Sequence, residues 1–482
     1  MDSAAAALDR LTGTATSEPV ARLAAAFAAA GHELALVGGP IRDAFLDRTS
    51  PDLDFTTDAR PDRILELVRP LASAHWDVGR AFGTIAARIA GATVEITTYR
   101  SESYDDGSRK PEVAFGDDLE SDLARRDFTV NAMALRLPER VLVDPSGGIA
   151  DLMARTLRTP SSPDVSFGDD PLRMLRAARF SSQLGFQVTP EVRDAMTRLA
   201  ARLEIVSAER IRSELDRLLA SESPRAGLQL LVDTGIADLV LPELPALRLT
   251  VDAEHRHKDV YEHSLTVLEQ AIELQGQRRR AVGEDDGEPD LVLRIAALLH
   301  DIGKPATRRF EPGGAVTFHH HDVVGASMAK RRLKALRFDN DTTARVASLI
   351  ELHQRFFGYT EGAWTDSAVR RYVRDAGDQL EQLHILTRAD VTTRNRRKAE
   401  RLAHAYDDLE TRIAELAAQE EMQAVRPDLD GEQIMAVLGV PPGRVVGEAY
   451  RFLLELRLEE GPLGDEAATA RLLDWWSDRS GR

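Results

Sequence analysis

The sequence predicts an α+β fold: a head of mixed β-sheet and helices, followed by an all-helical body. Three observations carry this expectation. Short β-rich runs punctuated by Gly or Asp concentrate before residue 150. From Asp170 onward, apolar residues recur at helical spacing. The length of 482 residues exceeds what one ordinary core organises, and suggests about three domains.

Taken in order, the Ala-rich stretch Ala21–Ala30 contains Arg22 and lacks a basic start, so it reads as a helix and not a signal peptide. Strand signals follow at Glu33–Val37, Leu53–Thr57, Ile85–Ile89, Val94–Tyr99, Ala132–Arg136 and Val141–Asp144, with a helical pattern over Arg60–Ala74. Helical repeats then take over, as in Leu172/Leu175/Arg176/Arg179 and Ile211/Leu215/Leu218/Leu219. Leu241-Pro242-Glu243-Leu244-Pro245 marks a boundary, and a second helical region is interrupted by the polar segment Gly283–Pro289. The tail from about Asp428 is helical again. The expected division is a head over 1–159, a helical neck over 160–250, a helical domain over 251–400 and a tail over 401–482.

Hydrophobic and charged fractions of 43% and 29% are those of a soluble globular protein. The chain has no cysteine, which excludes disulfides and thiolate metal sites and fits a reducing interior. No apolar run approaches membrane-spanning length, and a cytoplasmic location is the default. A net charge of −17 argues against a surface coated for nucleic acid, though not against a local basic track. Arg173/Arg176/Arg179, Arg278-Arg279-Arg280 and Arg394/Arg396/Arg397/Lys398 are such clusters, each taken singly more often a solvated helix face.

The chemistry starts at Leu36-Val37-Gly38-Gly39-Pro40-Ile41-Arg42-Asp43, followed by Asp52-Leu53-Asp54-Phe55. On a strand, Asp52 and Asp54 share a face, and paired carboxylates are hard oxygen ligands for divalent cations. Alone, such a pair is usually a solvated strand end. Glycines just before it let a phosphate approach the backbone, which turns the reading toward nucleotides. Two-metal sites commonly use a third carboxylate, and Glu95 in Thr93-Val94-Glu95-Ile96 is the best candidate. Arg125-Arg126-Asp127-Phe128-Thr129-Val130-Asn131 packs polar groups into an apolar context, either as an ion pair or as binders of phosphate and ribose. In Asp169-Asp170-Pro171-Leu172-Arg173, Pro and the acids form a helix start, and Asp170 and Arg173 are expected on one helical face. A carboxylate accepts from an exocyclic amine and a guanidinium donates to a ring nitrogen. Cytosine and adenine both offer that pattern, whereas guanine and uracil do not.

The ordered set Gly-Gly-x-Ile-Arg-Asp, Asp-x-Asp, Arg-Arg-Asp-Phe-Thr-x-Asn-Ala, Asp-x-x-Gly-Gly-x-x-Asp-Leu and Asp-Asp-Pro-Leu-Arg-Met-Leu-Arg-Ala-Ala-Arg-Phe, over roughly residues 30–220, resembles the bacterial tRNA nucleotidyltransferases. These CCA-adding enzymes share a class with bacterial poly(A) polymerases. The resemblance implies a palm-like nucleotidyltransferase head with Asp52 and Asp54 on catalytic Mg²⁺. It implies a triphosphate pocket shaped by Gly38, Gly39, Arg42 and Asp43. Arg126, Asp127 and Asn131 would handle phosphate and sugar; Asp170 and Arg173 would read the base, with Arg176 and Arg179 also in the nucleotide-binding set. Glu209-Arg210-Ile211-Arg212-Ser213-Glu214-Leu215 looks like the last helical motif, a packing element with one or two Arg available to phosphate. Two departures stand out: Asp169 replaces the usual Glu, and Pro40 removes one N–H from the phosphate turn. The polar segment Arg100–Phe115 looks like the flexible loop needed to switch from C to A addition.

A second constellation, His263, His300-Asp301 and Asp390, matches the ligand order of HD-type metal hydrolases, with His321 and His353 where some members bind a second metal. Imidazole and carboxylate together suit a divalent transition metal and lower the pKa of bound water. Relatives with such a domain hydrolyse 2′,3′-cyclic phosphates or phosphate monoesters.

The expected function is addition of CMP, CMP and AMP to tRNA 3′ ends from CTP and ATP, releasing pyrophosphate, with an appended phosphohydrolase and no membrane partner. A poly(A) polymerase, or an HD-type nucleotide hydrolase with a sensing head, remains an alternative.

Overall fold

The computed structural model describes residues 2–48, 53–77, 83–103, 112–116, 118–248, 259–284, 287–312, 316–356, 358–359, 364–392, 395–420 and 426–480. The chain divides into two compact units, Met1–Pro245 and Ala246–Arg482, with the break at the Pro-rich punctuation.

In the first unit, among the described residues before 150, nine strands enter in chain order: β1 (Leu34–Val37), β2 (Leu53–Thr57), β3 (Ala74–Trp76), β4 (Thr84–Ile89), β5 (Ala92–Thr98), β6 (Arg100–Ser103), β7 (Glu112–Phe115), β8 (Ala134–Leu137) and β9 (Val141–Val143). Seven form one mixed sheet in the order β3-β4-β5-β2-β1-β8-β9. The neighbours β2 and β5 run parallel, while β1 pairs antiparallel with β2 and β8. A parallel pair needs a crossover, supplied by the helix Pro61–Val68 and the β3–β4 hairpin. β1 is buried along its whole length, as expected of a strand covered on both faces. The Ala-rich segment is the helix Glu18–Ala29, which buries Val20, Leu23, Ala24 and Phe27.

Two expectations need correction. The helix expected over Arg60–Ala74 ends at Val68: its C-cap Arg69 still has α backbone, but Pro70 has no N–H to extend the helical bonding, and β3 follows from Ala74. The polar segment Arg100–Phe115 is not all loop: its ends pair as the antiparallel strands β6 and β7, with 104–111 outside the described residues.

Beyond residue 150 the first unit is helical apart from the short parallel pair Thr156–Leu157 and Gln187–Val188, with Leu172–Leu184, Pro190–Leu199, Ala208–Leu219 and Arg225–Asp233 as its longer helices. Gly227 permits close packing, since a Cβ there would lie 2.3 Å from the Ala178 carbonyl oxygen. The second unit is almost entirely helical. Val260–Ala281, Leu291–Leu299, His321–Ala335, Asn340–Leu352 and Leu380–Ala389 form its first part. Near its end, Gly431–Leu438, Arg444–Glu460 and Asp465–Ser480 enclose a small core around Ile434, Leu453 and Leu472.

Candidate active site and metal centre

The register of β2 and β5 sets Asp54 opposite Glu95. Partners on neighbouring strands project to the same face, so two carboxylates stand side by side at the centre of the sheet. Both line a cavity of about 330 Å³ within the first unit. Six arginines line it as well: Arg100, Arg125, Arg126, Arg173, Arg176 and Arg210. With Asp127 and Asp170, the carboxylates number four. The wall is therefore cationic in a chain whose total charge is −17, the balance a polyphosphate requires. Asp52 lies outside the described residues.

Asp127 is buried and holds Arg176 through Nε at 2.8 Å and Nη2 at 2.6 Å. It also accepts from Asn131 Nδ2 at 3.0 Å and from the Phe128 N–H at 2.8 Å. Burial works to raise its pKa, but the Arg176 charge and these donors outweigh it and keep the carboxyl far below the usual range. Asn131 Oδ1 in turn accepts from Arg42 Nη1 at 2.8 Å, and Arg42 pairs with Asp43 at 2.8 Å. Arg42, Asp43 and Asn131 thus stand behind the lining and hold it through Asp127. Arg179 is likewise internal: its Nε donates to Glu214 at 2.7 Å, and its guanidinium lies 4.1 Å from the Phe180 ring centroid.

Gly38 has φ of +72° and starts the short helix Gly39–Phe45; a Cβ there would sit 3.4 Å from Arg126 Nη1. Pro40 falls in the first turn of that helix, where an N–H has no intrahelical partner, so the helix loses no bond to it.

Asp170 corrects the expectation of one helical face. It precedes Pro171 and adopts extended backbone, φ −142° and ψ 100°, since a residue before Pro avoids the α region. The helix begins only at Leu172, and Asp170 Oδ1 accepts from the Leu172 N–H at 3.1 Å. Asp170 and Arg173 still meet at the same cavity. Arg173 is fixed there by Ser166 Oγ at 2.9 Å and the Arg125 carbonyl at 2.6 Å.

Sequence reasoning left Thr84 and Thr97 unmarked; β4–β5 pairing puts these hydroxyls 3.0 Å apart at the cavity wall. Arg210 and Glu214 were expected mainly to pack. Instead Arg210 reaches Asp170, and Glu214 holds Arg179. The glycine turn after Asp144 is structural: its carboxylate accepts from Gly148 N at 2.6 Å and Ile149 N at 3.0 Å.

The second unit gathers the other expected ligands. His263 Nε2, His300 and Asp390 form one trio, and Asp301, His321 and His353 another, with donor atoms inside each trio within 4.8 Å of one another. His263 Nε2 is 2.9 Å from Asp390 Oδ1. Asp301 faces both trios: Oδ2 is 3.3 Å from His300 Nε2, and Oδ1 is 3.2 Å from His321 Nε2. His300, His353 and Asp390 each cap the C-terminus of a helix, the end whose partial negative charge favours a cation.

The imidazoles fit metal binding. His300, His321 and His353 each bond through Nδ1 to a carbonyl three residues upstream, of Ala297 at 2.9 Å, Phe318 at 2.8 Å and Ile350 at 2.5 Å. That bond places the proton on Nδ1 and leaves the Nε2 lone pair for a metal. Nε2 of His300 and of His353 is buried without a hydrogen bond, the costly state that a ligated cation relieves. Two negative carboxylates inside the cluster add the charge complement. Gly303 makes the packing possible, because a Cβ there would lie 2.1 Å from the His321 carbonyl oxygen.

Both parts of the chain resemble known proteins. Residues 34–158 match the poly A polymerase head domain family, residues 185–247 the probable RNA and SrmB-binding site of polymerase A, and residues 260–395 the HD domain family. The chain is 35% identical to the A-adding tRNA nucleotidyltransferase of Deinococcus radiodurans, over 92% of this chain and 96% of that one. It is 31% identical to the CC-adding tRNA nucleotidyltransferase of Thermus thermophilus, over 92% and 94%. Among solved structures, the Bacillus stearothermophilus CCA-adding enzyme in complex with CTP shares the fold, with a TM-score of 0.65 at 23% identity, over 97% of this chain and all of that one. With a cationic cavity in one unit and a paired His/Asp cluster in the other, the chain belongs to the bacterial tRNA nucleotidyltransferase family of CCA-adding enzymes and carries an HD domain.

Proposed function

We propose that this chain rebuilds tRNA 3′ ends, adding C, C and A from CTP and ATP. The observation that carries the reading is the Asp54/Glu95 pair facing an arginine-rich wall that also presents Asp170 and Arg173. In each step the terminal hydroxyl bonds to the α-phosphorus, its proton is lost, and pyrophosphate leaves. Asp54 and Glu95, with Asp52, would hold Mg²⁺, which when bound activates the attacking oxygen and stabilises the leaving one. Arg125 and Arg126 offset triphosphate charge. Asp127 keeps Arg176 extended along the same wall. Asp170 accepts the exocyclic amine of C or A, and Arg173 donates to the adjacent ring nitrogen. Gly38 and Gly39 give the backbone room, while Arg42, Asp43, Asn131 and Arg179 act through the residues they hold. The proposed setting is the cytoplasm.

For the HD centre we infer a divalent transition metal on His263, His300, Asp301 and Asp390, with a second on Asp301, His321 and His353, hydrolysing phosphate esters of nucleotide or RNA ends. The domain roles follow: head 1–159, neck 160–250, HD domain 251–400 and tail 401–482.

Partial addition is the second reading, favoured because two relatives matched along nearly their whole length are named A-adding and CC-adding. One assay separates them: a tRNA lacking CCA, and one ending in CC, each incubated with Mg²⁺ and single or mixed nucleotides. Growth by two with CTP and a third, final residue with ATP supports full CCA addition. Growth confined to one of these stages means partial addition, and long A tails mean poly(A) synthesis.

A further inference from the structure

Both members of the base-reading pair are already bonded to other groups of the protein, and they are bonded unequally. We propose that Arg210 is a positioning residue that fixes the Asp170 carboxylate for the exocyclic amine of the incoming base. This rests on the base-reading role given above to Asp170 and Arg173.

Asp170 is held from both oxygens. Oδ1 accepts from the Leu172 N–H at 3.1 Å, and Oδ2 accepts from Arg210 Nη2 at 3.2 Å. A carboxylate offers about four lone-pair sites, so one donor on each oxygen leaves a further site on each for an amine. Asp170 closes the helix Pro163–Asp169 in extended backbone, and these two bonds hold its carboxylate. Arg210 reaches it from the helix Ala208–Leu219, across the same cavity.

Arg173 is anchored differently. It is buried, and its partners are the fully buried Ser166 hydroxyl and a backbone carbonyl. The side chain of Arg210 is 43% exposed. Asp170 is therefore the softer half of the pair, with a solvent-accessible side chain supplying one of its two restraints.

The consequence falls on selectivity. Uracil and guanine carry a carbonyl oxygen where cytosine and adenine carry the amine. A carboxylate fixed in place repels that oxygen; one free to rotate escapes the clash and also loses aim at the correct amine. Removing Arg210 should thus erode discrimination more than turnover. Its half-exposed position lets the substitution be made without opening the core.

The test uses the full chain with Arg210→Gln and Arg210→Lys. Steady-state kcat and KM are measured for CTP against UTP on tRNA lacking CCA, and for ATP against GTP on tRNA ending in CC. Binding of the free nucleotides is measured in parallel by calorimetry. Arg210→Gln should lower the ratio of kcat/KM for the correct over the wrong base by about tenfold, chiefly through KM, with partial recovery in Arg210→Lys. An unchanged ratio overturns the inference. Should Arg210→Gln stop addition altogether, the ratio of binding constants decides by the same threshold. Asp170→Ala is the control on the underlying reading. If it keeps the preference for C and A, the base-reading role itself fails; if it loses the preference while Arg210→Gln keeps it, only the role of Arg210 fails.

Discussion

Asp54 and Glu95 are register partners on the sole parallel strand pair of the large sheet, among the described residues, with both carboxylates at one cavity. The relationship makes Glu95 as testable as the Asp-x-Asp motif. Asp54→Ala should abolish nucleotide addition while tRNA binding, followed by filter retention, stays close to wild type. Glu95→Gln should reduce kcat by at least about 100-fold, since it removes a cation ligand without changing shape. Near-normal turnover in either variant would remove that residue from the cation site.

Asp301 touches both halves of the HD cluster, which gives a stoichiometric expectation. After loading and desalting, the wild-type chain should retain two equivalents of divalent metal. His353→Ala should retain about one, and Asp301→Asn fewer than His353→Ala, because Asp301 serves both positions. Metal analysis showing one equivalent in wild type and in His353→Ala would eliminate the second position. Chelation should stop hydrolysis at this centre and, by withdrawing Mg²⁺, addition at the other.

Gly303→Ala puts a methyl group 2.1 Å from a backbone oxygen, and neither side is a flexible chain end. The backbone carrying His300-Asp301 or that carrying His321 must shift, at a cost of about 2 kcal/mol. Reduced metal retention and a lower thermal midpoint are expected, with nucleotide addition retained. Unchanged metal content would show that the contact relaxes without moving a ligand.

Asp127 sets a pH dependence. Its folded pKa lies below its unfolded value of about 3.9, so its stabilisation is present above that pH and is lost as pH falls through the folded value. Asp127→Asn leaves the half-buried Arg176 without its nearest carboxylate and should cost about 2 kcal/mol near neutrality. Below about pH 4 the gap between variant and wild type should narrow. Urea midpoints measured from pH 3 to 7 check this; a gap independent of pH would mean that the loss is packing and not charge.

Much of this was legible in the sequence because it was local. Leu53–Thr57 reads as a strand from its own residues, and the six HD positions follow from residue type and order. Three-dimensional pairing was not legible. Nothing near Glu95 says that its strand lies beside Asp54, and the crossover between them includes β3, which starts where the helical pattern ends and carries no strand signal of its own. Arg210 and Glu214 sat in a helical pattern that explained them as packing, yet they anchor Asp170 and Arg179. Asp170 shows the opposite failure: spacing placed it on a helix, while the ring of the next proline pushed its backbone out.

The upstream carbonyls that hold His300, His321 and His353 have a kinetic meaning. Each ring's tautomer is chosen by the chain three residues earlier, before any cation arrives. Capture then needs no imidazole to exchange a proton between its nitrogens or to flip, only for the ion to shed water and to displace the proton that Asp301 and Asp390 favour on His300. Such a centre trades adaptability for speed: it should load quickly, and tolerate poorly any ion whose preferred geometry asks the rings to turn.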